Sequence, residues 1–280
     1  MSYEKSDVAL QKYLKPFTEI LNSDEVQEIS ISRPGEMFID STSGVERVED
    51  SSLTFSMLRD LSNLVASYRG QGISERKPLL SASLPGGERI QIVLPPACEP
   101  ETIVFAIRKP AVLDFTLEDY RRLGAFDDVK ITDDGVSELD LKLAKLLSER
   151  DFEGFMRVAV KGKKNIIVSG GTFTGKTTFT NAIIKEIPDH ERIITIEDVQ
   201  EVRVPHINKV HLLASKGEQG VAKVGVKELL ETCLRLRPDR ILLSEIRGDE
   251  AFYYLRSINS GHPGLSLPYM LTVQPGRLNS

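Results

Sequence analysis

The chain has no tryptophan and only two cysteines, Cys98 and Cys233. They lie far apart and outside any C-x-x-C pattern, which argues against a disulfide framework or a structural zinc site and fits a reducing compartment, with both thiols expected to be inert. No apolar run approaches the roughly eighteen residues that span a bilayer, and the opening residues, Met1-Ser-Tyr-Glu-Lys-Ser-Asp7, lack a basic segment followed by an apolar one. A soluble cytoplasmic protein is expected. Positive charge is short as well: 36 Lys and Arg against 41 Asp and Glu leave a net charge of -5, with no basic tract interleaved with aromatics. Nucleic acid is therefore not expected as the primary ligand, which demotes the reading of a nucleic-acid motor. The histidines form no metal motif, since His206 and His211 stand five apart without an intervening glutamate and His190 reads as a solvated turn residue.

What is present suffices for two cores: 280 residues, 40% of them hydrophobic. Leu10, Leu14, Phe17 and Leu21 recur at helical spacing over 8–21 despite Pro16, and 55–67 carries Leu58, Leu61, Leu64 and Val65 in the same rhythm. Short strands are predicted at 26–32, 36–40, 79–82, 89–94 and 102–107, separated by Gly- and Pro-bearing turns. This gives a mixed α/β first domain over 1–123. An acidic, apolar-poor stretch over 124–140 reads as a linker, and 141–280 as a second domain. There, helices at 141–147 and 153–161 precede strands predicted at 165–169, 192–196 and 240–243, with helical segments between the first two and before the third. Such alternation predicts a mainly parallel, helix-covered sheet whose ligand lies beyond the carboxyl ends of the strands.

The sharpest signal stands at one of those ends. Residues 170–177 read Gly-Gly-Thr-Phe-Thr-Gly-Lys-Thr, a complete G-x-x-x-x-G-K-[ST] phosphate loop followed by a helix-compatible segment that stops before Pro188. Glycines let the backbone amides close on phosphate oxygens, and the helix that follows offers its positive end. Gly170, Gly171, Thr172, Phe173, Thr174, Gly175, Lys176, Thr177 and Thr178 are thus candidate ATP-binding residues, with Lys176 reaching the β- and γ-phosphates and the Thr177 hydroxyl coordinating Mg²⁺. A glycine-rich turn with an exposed lysine is the bland alternative.

Phosphoryl transfer to water also needs an oriented nucleophile and positive charge at the γ-phosphate. Glu245 follows the apolar run Arg240-Ile-Leu-Leu-Ser, where a carboxylate can polarise water or pair with Arg247. Glu197 and Asp198 end the run Ile193-Ile-Thr-Ile and can orient water or metal, or cap a helix. Glu197, Asp198, Glu245 and the phosphate loop can meet at one place. Arg89 and Arg108, on strands of the first domain, are candidates for an arginine supplied by another domain or subunit, or plain surface charges. His262, in Ser260-Gly-His-Pro-Gly264, reads by itself as a loop histidine.

Four segments in one order give the chain a family resemblance: 170–178 as Walker A, 193–199 as an acidic box, 236–248 as the Walker B region and 260–264 as the start of a histidine box. From Leu10 to Gly264 the chain resembles the hexameric traffic ATPases of bacterial type IV secretion systems, within the secretion ATPase superfamily. The resemblance implies a PAS-like α/β domain followed by a RecA-like P-loop domain, and a Mg-dependent ATP hydrolase powering substrate translocation or pilus assembly. It makes Glu245 the catalytic glutamate, Glu197 the acidic-box residue and His262 a γ-phosphate sensor, and it matches Arg89 and Arg108 to arginines that approach the nucleotide. It further implies a homohexamer acting with other inner-membrane and cytoplasmic secretion components, and touching the membrane only peripherally, on the cytoplasmic face of the inner membrane. Two features depart from the pattern: Phe173 replaces a small residue, and 265–280 abandons the family's sequence, which leads us to expect a truncated or frameshifted C-terminal part with exposed apolar surface and an unpaired strand edge. A catalytically impaired nucleotide-binding subunit, and a type II secretion or type IV pilus motor, are the competing readings.

Overall fold

The computed structural model describes residues 3–110, 116–127, 136–171, 174–215, 220–246, 248 and 250–259. Helix α1 (Tyr3–Leu21) runs through Pro16 and buries Leu10, Leu14 and Phe17, whose spacing puts them on one face. Six strands follow, β1 (Val26–Ile31), β2 (Glu36–Ser41), β3 (Gly44–Glu49), β4 (Leu79–Ser83), β5 (Arg89–Val93) and β6 (Val104–Arg108), with α2 (Phe55–Tyr68) between β3 and β4. They form one antiparallel sheet in the order β3-β2-β1-β6-β5-β4.

Alternation on the central strand explains how this sheet serves two partners. Phe105 and Ile107 of β6 face the core made with α1 and α2, together with Ile29, Ile31, Ile90 and Ile92. Val104 and Ala106 point the other way, into a second core shared with Ile194, Ile196, Leu212 and Leu229 of the later part of the chain. The first domain is thus packed on both faces. Strand β3 was not anticipated: Gly-Val-Glu-Arg-Val-Glu carries little apolar pattern because it is an exposed edge strand held by its pairing with β2.

Beyond α3 (Leu117–Arg122), α4 (Glu138–Ser148) and α5 (Phe152–Lys161), the second sheet is parallel and has the order β8-β7-β9, with β7 (Ile193–Glu197), β8 (Lys209–Leu213) and β9 (Arg240–Leu243). Both α3 and the early start of α4, capped by Ser137, place ordered helix inside or beside the stretch expected to be a linker, of which 128–135 lies outside the described residues. Helices α6 (Lys176–Ile184), α7 (Val226–Cys233) and α8 (Glu250–Asn259) complete the part.

One strand expectation fails. Residues 165–169 belong to neither sheet, and Ile167 is 63% exposed while Ile166 and Val168 lean on the core of Val160, Ile183 and Leu242. Val168 alone of these residues makes a β-bridge, so the segment runs beside the sheet without forming a named strand. Strand β8 was the opposite omission. Its outer edge is covered by the first domain, where Cys98 bridges Leu212 and the Leu213 N–H donates to the Ala97 carbonyl at 2.9 Å. At the other end of β7, the fully buried Arg192 donates from Nε to the Leu236 carbonyl (2.9 Å) and from Nη1 to Ser32 Oγ (2.8 Å) and Asn208 Oδ1 (2.5 Å). Burial brings its guanidinium pKa down to about 10, with the nearby Glu28 carboxylate opposing the fall.

Candidate functional site

The phosphate loop is built as its sequence requires. Gly175 sits at φ 84°, a left-handed conformation that an L side chain rarely adopts, and forms the N-cap of α6 with no side-chain cap. The N-cap residue thus offers no side-chain oxygen to the first amides of α6, a helix start that suits phosphate oxygens. Gly170 is needed for space: a Cβ there would stand 2.8 Å from Thr174 Oγ1. Lys176 Nζ donates to the carbonyls of Gly170 (2.8 Å) and Gly171 (2.5 Å), folding back on its own loop. Thr177 is half-buried in the first turn and Thr178 exposed beside it. A cavity of about 450 Å³ is lined by Met156, 166–170, 174–176 and Phe179. Thr172 and Phe173 lie outside the described residues.

The acidic residues stand at the ends of adjacent strands. The Ser244 N–H donates to Ile196 O at 3.0 Å, so the strand ends that carry Glu197 and Glu245 lie side by side, and neither residue lines the phosphate-loop cavity. Glu245 and Asp198 are half-buried. Glu197 is almost fully buried. Its Oε1 accepts from the Thr195 hydroxyl (2.8 Å), and its Oε2 from the N–H groups of Glu201 (2.8 Å) and Val202 (2.9 Å). Burial alone would raise its pKa; His211, the two backbone N–H groups and Thr195 outweigh that and hold the carboxyl below its ordinary value.

Arg89 and Arg108 are directly opposed on β5 and β6 and are both exposed. They line a separate cavity of about 670 Å³ with Arg69, Arg235, Arg237 and Glu28. This cavity shares no residue with that of the phosphate loop. His262 and Arg247 lie outside the described residues. The cysteines are free and buried, and burial pushes the Cys98 thiol up to about 12.

A sequence family described as type II/IV secretion system protein matches residues 11–267. The chain belongs to this family. It is 45% identical over 275 residues to the type IV secretion system protein VirB11 of Bartonella quintana, covering 94% of this chain and 77% of that protein. It is 43% identical over 246 residues to the type IV secretion system protein PtlH homolog of Bordetella bronchiseptica, covering 87% and 72%. The crystal structure of the VirB11 ATPase from the Brucella suis type IV secretion system, in complex with sulphate, matches with a TM-score of 0.88 at 39% identity, over 95% of this chain and 77% of that one. The family read from the four boxes is borne out, as is the arrangement of a PAS-like α/β domain before a RecA-like P-loop domain.

Within this secretion-family fold, the sequence reading missed the partners of the acidic box. Thr195 and Glu197 are two apart on β7 and hence share a face, and His211 stands opposite Thr195 on β8. Alternation in Lys209-Val-His-Leu-Leu213 is a signal for the strand, but it sets His211 on the face opposite Val210 and Leu212, and the histidine is buried because both faces of β8 are covered. Among the described residues no group of three or more His, Cys, Asp or Glu could hold a metal, and no helix is long and apolar enough to cross a membrane.

Proposed function

We propose that this chain is a cytoplasmic Mg-dependent ATP hydrolase that powers substrate translocation or pilus assembly in a bacterial type IV secretion system, working as a homohexamer with inner-membrane and cytoplasmic partners and meeting the membrane only peripherally. The observation that carries the reading is the phosphate loop itself, with left-handed Gly175 as the N-cap of α6 and Lys176 poised over the loop. Lys176 would exchange its loop carbonyls for the β- and γ-phosphates, and Thr177 would hold Mg²⁺, which supplies charge neutralisation when bound. Glu245 would orient the attacking water and accept its proton. The His262 side chain would report on the γ-phosphate.

Arg89 and Arg108 would meet the nucleotide of a second copy, because their own cavity is distinct from that of the phosphate loop. Their cavity is lined by five arginines, Arg69, Arg89, Arg108, Arg235 and Arg237, against Glu28 and Asp40, an excess of positive charge that suits an anion and favours such a role over plain surface charge. A ring then follows naturally, with each copy supplying arginines to the next.

Steady-state Mg-ATP hydrolysis by the whole chain, with Lys176→Ala and Glu245→Gln alongside, tests the reading. Both variants should lower turnover at least about 100-fold, but only Lys176→Ala should lose ATP binding. Equal turnover in wild type and Lys176→Ala would overturn the hydrolase reading.

A further inference from the structure

The carboxylate of Glu197 is already spoken for. Ionised, it can only accept, and it accepts from three donors inside its own domain. The Thr195 hydroxyl spends its single proton on Glu197 Oε1, so its 2.8 Å contact with His211 Nδ1 requires the ring to donate. His211, Thr195 and Glu197 thus form a directed chain of hydrogen bonds buried in the sheet, with His211 Nδ1 3.4 Å from Glu197 Oε1.

The segment held by this chain touches two parts of the molecule, helix α6 and the first domain. The Arg203 N–H donates to Asn181 Oδ1 of α6 at 2.9 Å, which ties the segment to the helix that carries the phosphate loop. Val202 and Val204 pack with Ile183 and Ile184 of that helix. Gln200 Nε2 donates to Glu99 Oε1 of the first domain at 2.8 Å, one residue from the Ala97–Cys98 cover on β8. The strap 198–204 therefore spans from the nucleotide helix to the first domain, and Glu197 is its anchor.

We propose that Glu197 is a positioning residue rather than a group that touches nucleotide, water or metal, and that with Thr195 and His211 it fixes the strap through which α6 and the first domain move together. The inference rests on the ATPase reading for its catalytic consequence, though not for its structural one. Thr195 is fully buried on β7 and cannot reach substrate, so it separates the two roles.

The test uses the full chain with Thr195→Val, Thr195→Ser and Glu197→Gln. Thr195→Val should lower kcat at least about fivefold with KM for ATP and the half-saturating Mg²⁺ concentration unchanged, Glu197→Gln should do the same, and Thr195→Ser, which keeps the hydroxyl, should restore turnover. Amide exchange at Glu201, Val202 and Arg203, read in nucleotide-free protein, should quicken at least about tenfold in Thr195→Val and return in Thr195→Ser. A Glu197→Gln variant with shifted Mg²⁺ dependence beside a Thr195→Val of wild-type kcat would overturn the proposal in favour of direct action. Unchanged exchange in Thr195→Val would overturn it too, and does so even if the wild type hydrolyses nothing, an outcome that counts against the ATPase reading alone.

Discussion

The two sheets of this molecule solve opposite problems. The antiparallel sheet of the first domain has α1 and α2 on one face and the second domain on the other, and its central strands bury nearly every residue. Among the described residues the parallel sheet has three named strands, and around it stand exposed apolar side chains: Ile167 beside the phosphate loop, Phe179 on α6, Phe252 and Leu255 on α8. Closely packed interiors resist displacement, whereas segments with few buried contacts open at little cost. The contrast assigns the first domain the part of a stiff body and leaves the freedom to the nucleotide side.

The largest effect that would break this contrast is expected at Phe105, fully buried at the centre of the first sheet. Phe105→Ala should cost about 3–5 kcal/mol in urea unfolding, and a loss below about 1 kcal/mol would mean that the first domain is not the stiff body described. A smaller, pH-dependent effect is expected at Glu197. Its pKa is depressed in the folded state, so it contributes stability above the ordinary carboxylate range near 4.5 and loses it as pH falls through the folded value. The stability difference between wild type and Glu197→Gln should therefore be present at pH 7 and shrink as the pH drops below about 4.5; a difference that does not change with pH would deny the carboxylate its charged role. The smallest effect belongs to Ile167. Ile167→Ser should shift stability by no more than about 0.5 kcal/mol, and a larger loss would show that the segment before the phosphate loop is packed after all.

Much of this was legible in the chain because local rules and tertiary ones agreed. Leu58, Leu61 and Val65 announced α2 by spacing, and the alternation of Ile90 and Ile92 announced β5. The phosphate loop was legible for a stronger reason, since its function fixes residue types at fixed places. What escaped depended on neighbours far away in sequence. Strand β3 exists because β2 accepts its backbone bonds, 165–169 keeps a single bridge at Val168 where a full strand was expected, and the surroundings of Glu197 include a histidine fourteen residues on. The separation of Arg89 and Arg108 from the phosphate loop was equally beyond reach, because it is set by how one domain sits on the other.

Arg192 gives that seating a direction. Where Ala97 and Cys98 meet β8, separation would wet apolar surface and cost free energy. At the opposite end of β7 the guanidinium has been stripped of water, and parting the domains there would give its hydration back. Solvent would enter first beside Arg192 and last beside Cys98, so the seam would peel like a wedge from its ionic toe, and a swing of the first domain would pivot on its oily heel.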